Sequence, residues 1–289
     1  MPEKYVRREG LPILVRHTGP TTLPQDPPRL GSDSAIVCLH DAGLQSSVFT
    51  DLLSSSGLVG SNESAGSAET ETARGAIAFD LPGHGRSGSL DSLPSIAAMS
   101  EVAQWVADWC GATQPILVGH GMGALIALEW ARDRSQSVAG LVLCGAGLAL
   151  GIEDETIELM RQVTRGKAPR PFDPKRVSPE GGRDMMRRAY MEGIQTDPRS
   201  TLVDLEASRV WADAFLDESD GAAGWGGIDC PVAIVSGAQE NEACRARAEA
   251  LRGPLGQAAT CEIEGAAHFL PLEQPAGLAA EIERIMEAA

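Results

Sequence analysis

Lysine is nearly absent from this 289-residue chain. Only Lys4, Lys167 and Lys175 occur, so the positive side chains are almost all guanidinium groups. Positive charge is scarce overall, with 24 basic against 40 acidic residues and a formal net charge of −16. An acidic surface of this kind disfavours nucleic acid and anionic membranes as partners. It argues against a strongly anionic substrate too, unless arginines converge locally; solubility is a sufficient account of the charge. No apolar run is long enough to span a bilayer, the longest being residues 138–150. The opening stretch MPEKYVRREG has no apolar leader core. A cytoplasmic protein is expected. The six cysteines form no C-x-x-C pair and fall mostly in apolar stretches, as small buried hydrophobes do. No His/Asp/Glu cluster has metal-ligand spacing, so neither a metal nor a cofactor is expected. The oligomeric state stays open.

What is present is an alternation of short β-rich apolar runs with helical patterns, the signature of a parallel sheet covered by helices. Strands are expected at 5–9, 13–17, 35–40, 76–80, 116–119, 141–144, 231–237 and 260–263. Helices are expected at 46–53, 96–110, 122–132, 242–251 and 272–288. Residues 20–34 are a Pro-rich connection, and 54–74 a polar surface insertion without apolar periodicity. Between 151 and 227 the texture changes to charged, amphipathic helix with no strand pattern. The expected fold is α/β: a mostly parallel central sheet with flanking helices and an inserted helical cap. The core takes residues 1–150 and 228–289, the cap 151–227.

Four motifs sit at the C-terminal ends of expected strands, where open α/β sheets bind ligands. They are His40-Asp41-Ala42-Gly43-Leu44-Gln45-Ser46-Ser47, Asp80-Leu81-Pro82-Gly83-His84-Gly85-Arg86-Ser87, Gly119-His120-Gly121-Met122-Gly123 and Gly265-Ala266-Ala267-His268-Phe269. Taken together they resemble the capped branch of the α/β-hydrolase superfamily, which contains esterases, lactonases and C–C hydrolases. The resemblance covers roughly residue 35 to the end. It implies a catalytic His268 and, after the strand PVAIVSG, an acid partner at Glu240. Glu242, Glu153 and Asp154 are weaker candidates for that acid. A backbone oxyanion hole is implied at the amides of Ala42 and Met122.

The chain departs from the family pattern at two places. The G-x-S-x-G elbow has Gly121 where the nucleophilic serine belongs, and Asp41 stands where glycine usually follows the histidine. Glycine relieves the strain of the elbow, which costs a non-glycine residue about 1–3 kcal/mol. Asp41 is expected to be a solvated or loop-capping side chain; pointing inward, it would be an acid, base or acceptor. Loss of the serine leaves space between His268 and the oxyanion amides, where a water could sit for direct attack. Alternatively the histidine could move a substrate proton. His40, His84 and His120 are expected to be structural hydrogen-bonding groups, with His120 a possible additional site residue. Cys38 and Cys144 are expected to fill core, and Ser46 and Ser47 to cap the following helix.

The favoured reading is a serine-independent enzyme acting on a small carbonyl substrate such as an ester, lactone, thioester or β-diketone. The alternative is a binding protein, or a hydrolase inactivated by replacement of its serine with glycine. Gly121→Ser separates them if the remaining machinery is intact, because it should then create esterase activity.

Overall fold

The computed structural model describes residues 1–55, 74–89, 91–217 and 227–289. Most of the expected insertion at 54–74 lies outside the described residues. The sheet order is β1-β2-β4-β3-β5-β6-β7-β8. Strands β1 (Glu3–Arg8) and β2 (Leu11–His17) form an antiparallel hairpin. It closes at Glu9 and Gly10, both at positive φ (52° and 84°), so the first strand ends one residue before the expected boundary. Strand β2 pairs antiparallel with β4 (Ala76–Phe79). All further pairings are parallel, through β3 (Ile36–Leu39), β5 (Ile116–His120), β6 (Gly140–Cys144), β7 (Val232–Gly237) and β8 (Ala259–Ile263).

Burial on both faces explains why the central strands are apolar without alternation. Ile36 and Cys38 pack into one cluster, while Val37 and Leu39 pack into the other. The same division holds for Val118 against Leu117 and for Val142 against Leu141. Helices α2 (Ile96–Cys110) and α3 (Met122–Asp133) cover the first face, and α1 (Thr50–Leu53), α10 (Leu270–Glu273) and α11 (Pro275–Ala288) the second. Helix α2 has the expected bounds because its ends are marked locally. Ser95 accepts from the Ala98 amide at the start, and Gly111 takes the left-handed conformation (φ 81°) at the end.

Two expected helices are broken. Residues 46–53 divide into a 3-10 turn, Ser46–Phe49, followed by α1. Neither Ser46 nor Ser47 caps a helix: their hydroxyls reach Asp80 and Glu192. The closing helix is interrupted at Gln274 (φ −138°, ψ 61°), because Pro275 disfavours helical backbone in the residue before it.

Between β6 and β7 lie α4 (Ala146–Ala149), α5 (Asp154–Thr164), α6 (Gly182–Ile194) and α7 (Pro198–Asp217). Helices α8 (Glu242–Ala250) and α9 (Arg252–Leu255) join β7 to β8. No helix among the described residues is long and apolar enough to cross a membrane.

Candidate active site

The register of β3 against β5 sets up the site. Leu39 pairs with Gly119, so Asp41 and Gly121 lie two residues beyond matched positions on adjacent strands. Gly121 makes the sharp turn from β5 into α3 with φ 54° and ψ −114°. A Cβ added there would lie 2.0 Å from Asp41 Oδ1 and 2.2 Å from its Cγ. The Asp41 carboxylate therefore occupies the space of the missing elbow side chain. This corrects two expectations. Asp41 is only 4% exposed, neither solvated nor a surface cap. The space between His268 and the Met122 amide is also filled, by that carboxylate rather than left open to water.

Asp41 is held from several sides. The Met122 amide donates to Oδ1 at 2.8 Å, and His268 Nε2 lies 2.9 Å from Oδ2. Arg176 Nη2 is 3.4 Å from the same Oδ2. On its other side His268 Nδ1 is 3.0 Å from Glu240 Oε1. An imidazole bonded to two carboxylates must donate from both nitrogens, and only imidazolium does so. The electrostatics agree. Burial and Arg176 push the His268 pKa down, but the bonds to Asp41 and Glu240 prevail and raise it. Burial pushes Asp41 up, and the hydrogen bond and charge of His268 reverse this, holding it well below the usual carboxylate range.

The other candidate acids lie elsewhere. Glu153 and Asp154 are exposed at the start of α5, where Asp154 pairs with Arg209, and Glu242 is exposed on α8. Cys38 and Cys144 are buried free thiols whose pKa burial raises. Ala42 and Met122, expected to supply an oxyanion hole, flank Asp41, but the Met122 amide already serves its carboxylate.

The remaining histidines make hydrogen bonds within the loops. His40 Nε2 accepts from the Leu81 amide, and burial and the charge of His84 lower its pKa to about 4. His120 Nε2 donates to the His268 carbonyl at 2.8 Å, while burial and the nearby His268 charge bring its pKa to about 3. Asp41, His120 and His268 bring possible metal-ligating atoms within 4.8 Å of one another. A metal there would replace the Asp41–His268 bond and require both ring nitrogens facing it to be unprotonated.

Residues to which the sequence assigned no role complete the surroundings. Asp204 on α7 accepts from the Gly43 amide, His84 Nε2 and Ser92 Oγ, tying that helix to the loops after β3 and β4. Glu273 accepts from the amides of Ser178 and Ala267, bracing the turn before His268. The Arg176 carbonyl accepts from the His268 amide. Above Asp41 opens a cavity of about 350 Å3 between the sheet ends and α5–α7, walled by Leu44, Leu148, Met160, Phe172 and Phe269.

Fold and site together define an α/β-hydrolase architecture with an aspartate in place of the elbow nucleophile. The chain matches the alpha/beta hydrolase family across residues 36–281, and it belongs to that family. It is similar to the dihydrolipoyllysine-residue acetyltransferase component of the acetoin cleaving system of Pseudomonas putida, with 27% identity over 54% of this chain and 45% of that protein. The chain thus spans less than half the length of the curated relatives it matches. Among solved structures, a malate-bound thermophilic esterase from Thermogutta terrifontis has a TM-score of 0.73 at 16% identity, covering 99% of this chain and 98% of its own. The enol-lactonase from Burkholderia xenovorans LB400 has a TM-score of 0.68 at 16% identity, covering 98% and 99%. At such identities the likeness is one of fold.

Proposed function

We propose that this protein is a serine-independent enzyme that moves protons on a small carbonyl substrate, using Asp41, His268 and Glu240 without a cofactor. The observation that carries this reading is the hydrogen-bonded row Asp41–His268–Glu240, whose Asp41 end lines a largely apolar cavity. Two neighbours in that row have their pKa values pushed apart, Asp41 down and His268 up. Such pairs divide acid and base roles between neighbours. Asp41 is the ionised acceptor for a proton on the carbon beside the carbonyl. His268, kept in its orientation by Glu240, is the donor to the oxygen. Helices α5–α7 act as a cap over this cavity. Ketones, β-diketones, thioesters and lactones are the candidate substrates, and the free cysteines suit a cytoplasmic setting.

The test is deuterium incorporation from D2O beside the carbonyl of each candidate, followed by proton NMR. Wild type should catalyse exchange or turnover of at least one compound, and His268→Ala should abolish it. Unchanged activity in His268→Ala removes the mechanism. A second reading, a binding protein in the same fold, is favoured by one observation: Asp41 fills both the elbow position and the Met122 amide. Ligand binding without exchange or turnover across the panel would establish that reading instead.

A further inference from the structure

The cavity carries more positive charge near the reacting centre than the acidic chain as a whole would suggest. Two of its few basic residues, Arg170 and Arg176, line the same cavity. Arg176 reaches Asp41 Oδ2 through Nη2, and its Nε is buried with no hydrogen-bond partner among the described residues. Its guanidinium also lies over the Phe269 ring, 5.3 Å from the centroid. Arg170 is half-buried and spends its known hydrogen bonds on neutral acceptors. Nη1 donates to the Thr196 carbonyl, and Nη2 donates to Thr201 Oγ1 at 2.9 Å. Thr201 in turn packs on Gly43, since a Cβ at that glycine would come within 2.6 Å of its hydroxyl. Both guanidinium groups therefore flank the loop at 41–43, where the reaction would take place.

The acidic groups lining the cavity do not neutralise Arg170. Asp41 is taken by His268 and the Met122 amide, and Asp173 Oδ1 accepts from the Lys175 amide. No carboxylate forms an ion pair with Arg170 among the described residues. The charge of Asp197 favours the half-buried Arg170 guanidinium without forming an ion pair with it, and a guanidinium fork matches a carboxylate with two parallel hydrogen bonds. Most of the remaining wall is apolar, with Thr156, Tyr190 and Ser208 as polar interruptions, and suits a medium-length alkyl chain.

We propose that the cavity binds a carboxylate-bearing carbonyl compound with an apolar tail, Arg170 pairing the carboxylate and Arg176 meeting the carbonyl oxygen beside Asp41. This inference rests on the proton-transfer reading for the role of Arg176, whereas the carboxylate site at Arg170 stands apart from catalysis. Binding and chemistry are therefore measured separately. Octanoate and the neutral, equally long octanamide are titrated calorimetrically into the full chain near pH 7. Wild type should bind octanoate at least about tenfold more tightly, the scale of one charge-assisted hydrogen bond. Arg170→Gln should erase that preference, while Arg170→Lys should keep part of it. Unfolding curves of each variant establish that it is folded. Equal affinity for the two probes, binding of neither, or an undiminished preference in folded Arg170→Gln overturns the carboxylate site. Arg176→Gln should slow deuterium exchange of 2-oxooctanoate by at least about tenfold while leaving octanoate affinity within about twofold. Unchanged exchange in that variant overturns its role. Octanoate preference without exchange of any carbonyl compound would retain the Arg170 site and sink the proton-transfer reading and the Arg176 role with it.

Discussion

Two aspartate–histidine pairs are buried among the described residues, and they do different things. Asp41 meets His268 at 2.9 Å, and Asp204 meets His84 at 2.7 Å. Each carboxylate also accepts from a backbone amide, Met122 in the first case and Gly43 in the second. The difference is access. Asp41 lines the cavity, whereas Asp204 and His84 are sealed between α7 and the loops after β3 and β4. Asp204 is surrounded by donors that hold helix to core. Asp41 is bonded through both oxygens as well, but it lines a space where a substrate can lie. The chemical identity of a pair therefore does not distinguish a clasp from a reactive centre; the opening beside it does.

The largest expected effect is on chemistry at the open pair. Asp41→Asn keeps the shape but removes the charge, and should lower turnover by about 10²–10⁴-fold, the usual worth of a general acid–base group. Steady-state rates on whichever substrate shows exchange check this. Asp204→Ala should instead cost about 3–5 kcal/mol of stability by leaving His84, Ser92 and the Gly43 amide without their acceptor. Denaturant titration measures that loss. If Asp204→Ala lowered turnover without changing stability, the division between clasp and centre would be wrong.

Gly121→Ser sharpens the comparison further. On sequence grounds it should restore a hydrolase, but the added Cβ collides with Asp41. The single variant should be destabilised by about 1–3 kcal/mol and show no esterase activity. Asp41→Gly combined with Gly121→Ser removes the collision and frees the Met122 amide, and should label with a serine-directed phosphonate. Labelling of the single variant would show that Asp41 yields its position readily.

The smallest effect is the pH dependence of stability. His84 and His268 both have pKa values raised above 6.5 in the folded protein. Their stabilisation is complete below the unfolded value and is lost as pH rises through the folded values. Tm should fall gently from near pH 6.5 upward, and His84→Gln should flatten part of that slope. For Asp41 the sign is opposite: its contribution, present above the unfolded value, disappears only in acid as pH drops through the lowered folded value.

The strand–helix alternation was legible because burial on both faces leaves short runs that are apolar without a break, and α2 was legible to the residue because Ser95 and Gly111 mark its ends. The 3-10 turn at Ser46–Phe49 was not, since the Ser46 and Ser47 hydroxyls turn to Asp80 and Glu192 on other segments; the break at Gln274 had a local mark in Pro275 that the periodic reading of 272–288 passed over. At the site, the motifs placed Glu240 and His268 in hydrogen-bonding partnership, as the geometry has them. Arg176 and Asp204 had no signal. They come from helical segments whose composition resembles any charged surface, and only docking onto the sheet ends gives them a place.

The order of strands and motifs, the absence of an elbow serine and the presence of an acidic residue after His40 belong to the sequence itself. They follow from side-chain identity and periodicity, which need no distant contact. Whether Asp41 faced solvent or the histidine was decided only in three dimensions. Parallel pairing of β3 with β5 places the ends of two distant segments side by side, and the missing side chain at Gly121 leaves the volume that one carboxylate fills. The serine's absence and the aspartate's presence, read apart as two departures, are one exchange of space.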